Sequence, residues 1–114
     1  MPNPRSGPRM TLPTRLVLMA LLDDPTREMY GLEICAAAGL ASGTIHPILA
    51  RLEKLGWLRS TWEQIDPSEQ GRPRRRYYSL DPNSIATVRA ALTRAQAAAP
   101  GIGHLRPGLA GGAR

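Results

Sequence analysis

Two segments with apolar residues at helical spacing lie on either side of a short break, Gly39–Ala41, near the middle of the chain. The first segment carries Tyr30, Ile34 and Ala37 about one turn apart, and Gly39 is expected to end it in a left-handed conformation. The second segment has a longer apolar stripe, formed by Ile45, Ile48, Leu49, Leu52 and Leu55. Two helices joined by so few residues predict a helix–turn–helix.

The apolar spacing changes after Gly56 from the helical repeat to the two-residue repeat of a β-strand. Residues 57–63 (WLRSTWE) and 72–80 (RPRRRYYSL) are therefore predicted to pair around the polar loop QIDPSEQG. Alternation along the second strand directs Arg76, Tyr78 and Leu80 inward and Arg75 and Tyr77 outward. The sequence thus predicts a mainly α (α+β) fold, a winged helix–turn–helix with a two-stranded β-hairpin as its wing.

A helix is predicted over residues 11–22, with Thr11 as its cap and Pro13 in its first turn. Its apolar stripe is wider than one small core requires, which indicates a second buried face against another subunit. Another helix is predicted over 83–98, capped by Asp81 or Asn83. Its narrow stripe, typical of a seam between two helices, consists of Ile85, Val88, Leu92 and Ala95.

The ends of the chain differ in composition from its centre, because they are rich in proline and glycine and lack apolar periodicity. The expected organisation is a disordered arm over 1–10, a winged helix–turn–helix domain over 11–82, a helix over 83–98 and a disordered tail over 99–114.

The chain is strongly basic, with 15 Lys and Arg against 9 Asp and Glu and a formal net charge of +6. All the cations except Lys54 are arginines, a bias that a GC-rich genome also produces. The charge is uneven, since residues 72–80 hold four arginines and no acid, whereas residues 23–41 hold four acids and one arginine. Such a distribution favours a binding surface for a polyanion over general solubility.

The runs MYGLEI, SGTIHPILARLEKLGWL and GRPRRRYYSL, in this order and spacing, resemble the PadR family of bacterial transcription regulators over about residues 12–82. The resemblance implies a homodimeric repressor that binds double-stranded DNA at a pseudo-palindromic operator. It also implies that the helix over 83–98 is a C-terminal dimerisation helix. The chain departs from the family pattern at His46, where members usually have tyrosine, and in the shortness of its last helix.

The exposed face of the second helix is expected to enter the major groove of DNA, because it is small and polar and begins with free N–H groups. The residues predicted to contact DNA on this helix are Ser42, Gly43, Thr44, His46, Pro47 and Arg51. Thr44 and His46 can donate hydrogen bonds to phosphates or bases, and Arg51 can bind guanine or the backbone. The alternative is that Ser42 and Thr44 only cap the helix, and that Arg51 pairs with Glu53 or faces solvent.

The arginines of the second strand repel one another, a cost that a nearby phosphate backbone would offset. The residues predicted to contact DNA there are Arg72, Arg74 and Arg75. Arg76 shares the inward direction of Tyr78 and is expected to be structural; for the others, a solvated strand face is the alternative. The aromatic residues expected to pack in the core and hairpin are Trp57, Trp62 and Tyr78. Tyr30 fits either the core or a hydrogen bond to phosphate.

The sequence contains no catalytic constellation and no phosphate-binding loop, so neither an enzyme nor a cofactor is expected. Cys35, His46 and His104 lack the spacing of metal ligands, and Cys35 is expected to be a buried, inert thiol rather than a redox sensor. A single cysteine, no apolar run of about 18 residues and no signal-peptide pattern predict a soluble cytoplasmic protein without a membrane partner. The last helix has no aromatic residue, which argues against a ligand site between subunits but leaves a small-molecule effector open.

Two other functions fit the same fold. The basic wing could dock an acidic protein, as in a protein-interaction module, or the winged helix could bind structured RNA. The nearly neutral surface of residues 43–50 favours DNA, since it is shaped for close approach rather than for long-range attraction.

Overall fold

The computed structural model describes residues 8–98. Its elements, in chain order, are α1 (Leu12–Asp23), β1 (Met29–Tyr30), α2 (Gly31–Ala38), α3 (Ser42–Lys54), β2 (Leu58–Trp62), α4 (Pro67–Gln70), β3 (Arg76–Leu80), a turn of 3-10 helix (Pro82–Ser84) and α5 (Ile85–Ala97). The mainly helical winged helix–turn–helix is confirmed. The predicted arm over 1–10 falls mostly, and the tail over 99–114 entirely, outside the described residues.

The helix ends follow the chemistry of their capping residues. The Thr11 hydroxyl accepts a hydrogen bond from the Thr14 N–H, and Pro13 stands in the first turn of α1. Gly39 ends α2 at φ 72°, in the left-handed region, and its N–H donates to the Cys35 carbonyl at 2.8 Å. The helices α2 and α3 are bent by 108° at the break between them, the arrangement of a helix–turn–helix.

The sheet has three antiparallel strands in the order β1–β3–β2, one more than the two-stranded hairpin predicted. Met29 pairs with Tyr78 and Tyr30 with Tyr77, so β1 lies on the free edge of the wing strand β3. A two-residue strand is too short to produce an alternating pattern, which is why the sequence did not indicate it. The wing itself is the hairpin β2–β3, in which Leu58 pairs with Leu80 and Trp62 with Arg76.

One hydrophobic core joins the three-helix unit to the sheet and to α5. Its fully buried side chains are Val17, Leu18, Ile34, Ile45, Leu49, Leu52 and Val88. Leu80 and Tyr78 face this core, as the alternation along β3 predicts. Met10 also packs against it, which ties the residues before α1 to the domain.

Several boundaries and burial states differ from the sequence predictions. In α2, Ala38 is buried and Ala37 is exposed, so the fourth residue after the buried Ile34, and not the third, faces the core. Leu55 and Trp62, expected to pack inside, are 45% and 55% exposed. The second wing strand begins at Arg76 rather than at residue 72. Pro73 has no N–H to donate to a neighbouring strand, and the Arg75 N–H donates to the Glu63 side chain instead.

Within the described residues, no single helix has the length and apolar composition needed to cross a membrane. Only α2 and α3 taken together meet that criterion, across the bend between them.

Candidate nucleic-acid interface

The side of α3 that faces away from the core carries every residue predicted on it. Ile45, Ile48, Leu49 and Leu52 point inward and are buried. The exposed residues are Ser42, Gly43, Thr44, His46, Pro47, Ala50 and Arg51. This face is small near its N-terminal end, and the structure leaves room beside Gly43, where an added Cβ would meet no atom within 4 Å.

The prediction that Ser42 caps α3 is wrong, because Ala41 is the N-cap and makes no side-chain capping bond. The backbone turn that follows Gly39 determines where α3 begins, and the preference for serine at a cap is too small to shift it. The first intrahelical bonds, from the N–H groups of Thr44 and Ile45, both reach the Ala41 carbonyl. The N–H groups of Ser42 and Gly43 precede them at the exposed helix end, where they can bind an anion.

Glu63, at the end of β2, organises the arginine segment of the wing. Its carboxylate accepts two hydrogen bonds from the Arg72 guanidinium, at 2.7 and 2.9 Å, and one from the Arg75 N–H at 3.1 Å. The Arg72 hydrogen bond, more than any other cause, lowers the pKa of Glu63 to about 2, and the Arg72 pKa is raised in turn. Arg72, predicted to bind DNA, is therefore part of an ion pair that shapes the loop.

Arg76 connects the wing to α3. Its Nη2 lies 3.2 Å from Glu53 Oε1, and its Nε donates to the Ser60 hydroxyl at 3.0 Å. Ser60 in turn donates to Glu53 at 2.6 Å. The geometry agrees with a structural role for Arg76. Glu53 is occupied by these partners, so the alternative in which it pairs with Arg51 does not occur in this structure.

Arg74 and Arg75 are different, because neither has an acidic partner among residues 8–98. The Arg74 Nε donates to the Ile65 carbonyl at 2.9 Å, which leaves the end of its guanidinium exposed. The Arg75 guanidinium lies 4.2 Å from the centre of the Tyr30 ring, a cation–π contact. Tyr30 also meets the edge of Tyr77, with ring centres 5.7 Å apart. The guanidinium groups of Arg74 and Arg75 are thus two positive charges without an acidic partner, on a segment of backbone that Glu63 holds in place.

A groove of about 460 Å³ separates the wing from the N-terminal ends of α2 and α3. Its lining residues are Tyr30, Gly31, Leu32, Ser42, His46, Trp62, Arg72, Pro73, Arg74, Arg75, Arg76 and Tyr78. His46 reaches α2 because Gly31 has no side chain: a Cβ there would lie 3.3 Å from His46 Cε1. The groove brings Ser42 and His46 together with the predicted wing arginines.

The other predicted residues of α3 lie outside this groove, namely Gly43, Thr44, Pro47 and Arg51. Sequence reasoning missed Leu32 and Trp62 as surface residues of the groove. Leu32 lies outside the apolar stripe of Tyr30, Ile34 and Ala37, so the helical spacing already indicated the exposed face for it. Trp62, the last residue of β2, was expected to pack in the core and hairpin, but its ring is 55% exposed and lines the groove.

The described residues contain no group of three metal-ligating side chains, and Cys35 is partly buried against the core. His104 lies outside the described residues.

The model of the transcriptional regulator PadR-like family matches residues 17–83, a range that includes both helices of the helix–turn–helix and the whole wing. No curated protein matches the chain. Among solved structures, a PadR family transcription regulator from Clostridium difficile R20291 has 21% identity and a TM-score of 0.56, over 89% of this chain and 100% of that one.

Two further solved structures share the fold. The protein smu.1704 from Streptococcus mutans UA159 has 23% identity and a TM-score of 0.58, over 94% of this chain and 98% of its own. BpsR from Bordetella bronchiseptica, whose DNA binding is regulated by 6-hydroxynicotinic acid, has 17% identity and a TM-score of 0.54, over 82% of this chain and 67% of its own.

Proposed function

Because the chain belongs to the PadR-like family of transcriptional regulators, we propose that it is a homodimeric repressor that occupies a pseudo-palindromic operator in double-stranded DNA. The observation that carries the proposal is the contrast across one surface. A nearly neutral, small-residue face on α3 stands beside a wing segment with two uncompensated arginines, Arg74 and Arg75. The proposed place of action is the cytoplasm.

In this proposal the exposed face of α3 and the arginine segment of the wing have different functions. The start of α3, with Ser42, Gly43 and Thr44, enters the major groove, where close approach of the backbone is needed. His46 and Thr44 contribute hydrogen bonds that depend on sequence, and Arg51 binds guanine or the backbone further along the helix. Pro47 lies on the same face of α3 and makes van der Waals contact with the wall of the DNA major groove.

In the proposed complex the wing binds the sugar–phosphate backbone of the DNA beside the major groove that α3 enters. Arg74 and Arg75 contact phosphates through charge, and such contacts add affinity without sequence information. Arg72, which is paired with Glu63, contributes mainly by holding the loop that carries the other two. Two copies related by two-fold symmetry would bind half-sites about 34 Å apart, one turn of the DNA helix.

Selection of bound sequences from a random DNA pool tests the proposal as a whole. The expected result is an enriched half-site and its inverted copy, with centres about one helical turn apart. Enrichment of no sequence, together with no retardation of random duplexes at moderate salt, would contradict DNA binding and favour the protein-interaction alternative. Preference for structured RNA over duplex DNA would favour the RNA-binding one.

The wing assignment is tested with Arg74→Gln and Arg75→Gln. Each is expected to weaken binding to all duplexes about equally and to reduce the slope of log K against log salt by about 0.9, because one phosphate contact is lost. Arg59→Gln is the matched control, since Arg59 is an exposed arginine of β2 outside the groove. An unchanged slope in both wing variants would show that the wing does not hold phosphates.

Thr44→Ala and His46→Ala test whether the exposed face of α3 contacts the bases of the operator. Both are expected to change the preferred bases in the selected half-site and to leave the salt slope nearly unchanged, because they remove contacts to bases rather than to charge. If the selected sequence stays the same in both variants, α3 does not read the operator through these side chains.

A further inference from the structure

The groove between the wing and the N-terminal ends of α2 and α3 combines positive charge with exposed apolar surface. Within residues 8–98, Arg74 and Arg75 have no acidic partner, and none of the described lining residues is an acid. Leu32, on the helix side, is 68% exposed, and Trp62, on the wing side, is 55% exposed. Neither belongs to the hydrophobic core, so packing within the fold does not account for them.

A DNA strand offers partners for both kinds of surface. The proposed function brings phosphates of the operator to Arg74 and Arg75. Between successive phosphates lies a deoxyribose, whose 2′ carbon carries only hydrogen, whereas the 2′-hydroxyl of a ribose both donates and accepts hydrogen bonds. Leu32 and Trp62 line the same groove as the two arginines, so they meet the sugars of a strand whose phosphates the arginines bind.

The indole of Trp62 is positioned for contact on one side only. The Arg76 guanidinium lies over the ring, 5.5 Å from its centre, and is itself held by Glu53 at 3.2 Å. Stacking of the indole between two bases would need both of its faces, and one of them is covered. The arrangement therefore favours contact between the other face and a sugar.

We propose that Leu32 and Trp62 pack against the 2′ carbon of a deoxyribose in the operator strand that passes between the wing and α2, and that this contact selects DNA over RNA. A 2′-hydroxyl at that position would lose its water against the leucine and the indole and would gain no hydrogen-bond partner in exchange. The 2′ positions of a duplex lie along its minor groove, so the contact places the wing at the minor groove beside the major groove that α3 enters.

This inference rests on the proposed function, since it needs a nucleic-acid strand on Arg74 and Arg75. It adds a contact of a different kind from theirs. Arginines attract the phosphates of DNA and RNA alike, so charge in the groove does not distinguish the two. An apolar contact at the 2′ carbon does, because it is favourable only where the hydroxyl is missing.

Single ribonucleotides placed in turn along each strand of the selected operator test the contact. An all-RNA duplex would not serve, because its narrow major groove excludes α3 whatever the sugars contact. The expected result is that a ribose at one or two positions per half-site weakens binding about tenfold and that a ribose elsewhere changes it little. A 2′-fluoro nucleotide at the sensitive positions should bind nearly as the deoxyribose does, because fluorine favours the same sugar pucker as the hydroxyl but leaves no donor unpaired.

Leu32→Ala and Trp62→Ala connect the effect to these side chains. Each is expected to weaken binding to the deoxy operator about fivefold and to reduce the penalty for ribose at the sensitive positions to less than about twofold. The slope of log K against log salt should stay unchanged, because no phosphate contact is lost. Leu55→Ala is the matched control, since Leu55 is an exposed leucine outside the groove, and circular dichroism shows whether each variant is folded.

The outcomes separate this inference from the function on which it rests. Operator binding that tolerates ribose at every position, or a ribose penalty that persists in both folded variants, would overturn the sugar contact and leave DNA binding standing. An equal penalty for 2′-fluoro nucleotides would show that sugar pucker is sensed instead, and tighter binding of single-stranded DNA than of duplex would show that Trp62 stacks on bases; either would overturn the inference. Failure to bind any duplex would overturn the proposed function and the inference together.

Discussion

At the scale of single residues, Glu63 explains why four arginines of similar sequence context have different roles. It accepts hydrogen bonds from the side chain of Arg72 and the backbone of Arg75, so it holds the loop and removes one of the four charges. Arg76 is occupied by Glu53. The two arginines that remain, Arg74 and Arg75, are those with free charge at the groove.

The stability of the fold should depend on pH through the ionisation of the Glu63 carboxylate. The folded pKa of Glu63, about 2, lies below its ordinary value of 4.5, so the ionised form stabilises the folded state. Its contribution is complete above about pH 4.5 and is lost as the pH falls toward about 2. Glu63→Gln is therefore expected to be less stable than the original chain at neutral pH, and the difference should shrink below pH 4.5.

Denaturant unfolding at a series of pH values measures this difference. Glu69→Gln is the matched control, since Glu69 is an exposed acid of the same loop with no ion pair among the described residues. A stability difference for Glu63→Gln that stays constant from neutral pH to pH 2 would show that the ion pair with Arg72 is not its source.

The sequence could not separate these arginines, for a physical reason. The concentration of positive charge and the inward direction of Arg76 were predictable from spacing alone. The pairing of Arg72 with Glu63 was not, because these residues are nine positions apart and meet only in the hairpin register that pairs Trp62 with Arg76.

At the scale of secondary structure, the helices with long apolar stripes were predictable, and short elements were not. α3 was correctly located because its four buried residues repeat over several turns. β1 and α4 have two and four residues, so no periodicity is available to indicate them. β1 depends on tertiary context, because it forms only on the free edge of β3. α4 is a local turn of helix, closed by the Asp66 side chain at its start and by the left-handed Gly71 at its end.

Two glycines of the helix–turn–helix should respond oppositely to alanine. Gly39 has φ 72°, which an L-residue adopts at a cost of about 1 kcal/mol, so Gly39→Ala is expected to destabilise the fold by about that amount. Gly43 lies inside α3 with open space around it, so Gly43→Ala is expected to stabilise the fold by about 0.5 kcal/mol. Denaturant unfolding measures both changes.

Gly43→Ala also tests whether α3 approaches DNA closely. Gly43→Ala places a methyl group on the face proposed to enter the major groove, so it should weaken operator binding although the protein is more stable. A Gly43→Ala variant that binds the operator as tightly as the original chain would contradict close approach at this position. Loss of binding accompanied by loss of stability would instead indicate a damaged helix.

At the scale of the whole molecule, the described fold leaves part of α1 uncovered. Leu12 and Met19 are 49% and 45% exposed and lie on the same side of the helix, two turns apart. Gln96, on α5, donates a hydrogen bond to the Met19 sulfur at 3.4 Å, so the two helices are neighbours at this surface. Sequence reasoning indicated a second buried face on α1 from the width of its stripe. The exposure of this face supports the proposed homodimer.

The exposed side of α1 can be tested by placing charges on it. A Leu12→Glu/Met19→Glu variant is expected to be monomeric, because two carboxylates per subunit would be brought together in an apolar contact. The fold should persist, since both side chains are already substantially exposed and an acid in the first turn of a helix is favourable. Leu55→Glu is the control, with an exposure equal to that of Met19 but at the far end of α3.

Sedimentation velocity shows whether each variant is a monomer or a dimer. Operator binding then shows whether the dimer is needed for recognition. A monomer binds one half-site, so it should lose most of the affinity for the full operator and retain the dependence of binding on Arg75, because each subunit keeps its own wing. A variant that stays dimeric would place the interface elsewhere. A monomer with undiminished affinity for the full operator would show instead that the two half-sites are bound independently, and that the dimer plays no part in recognition.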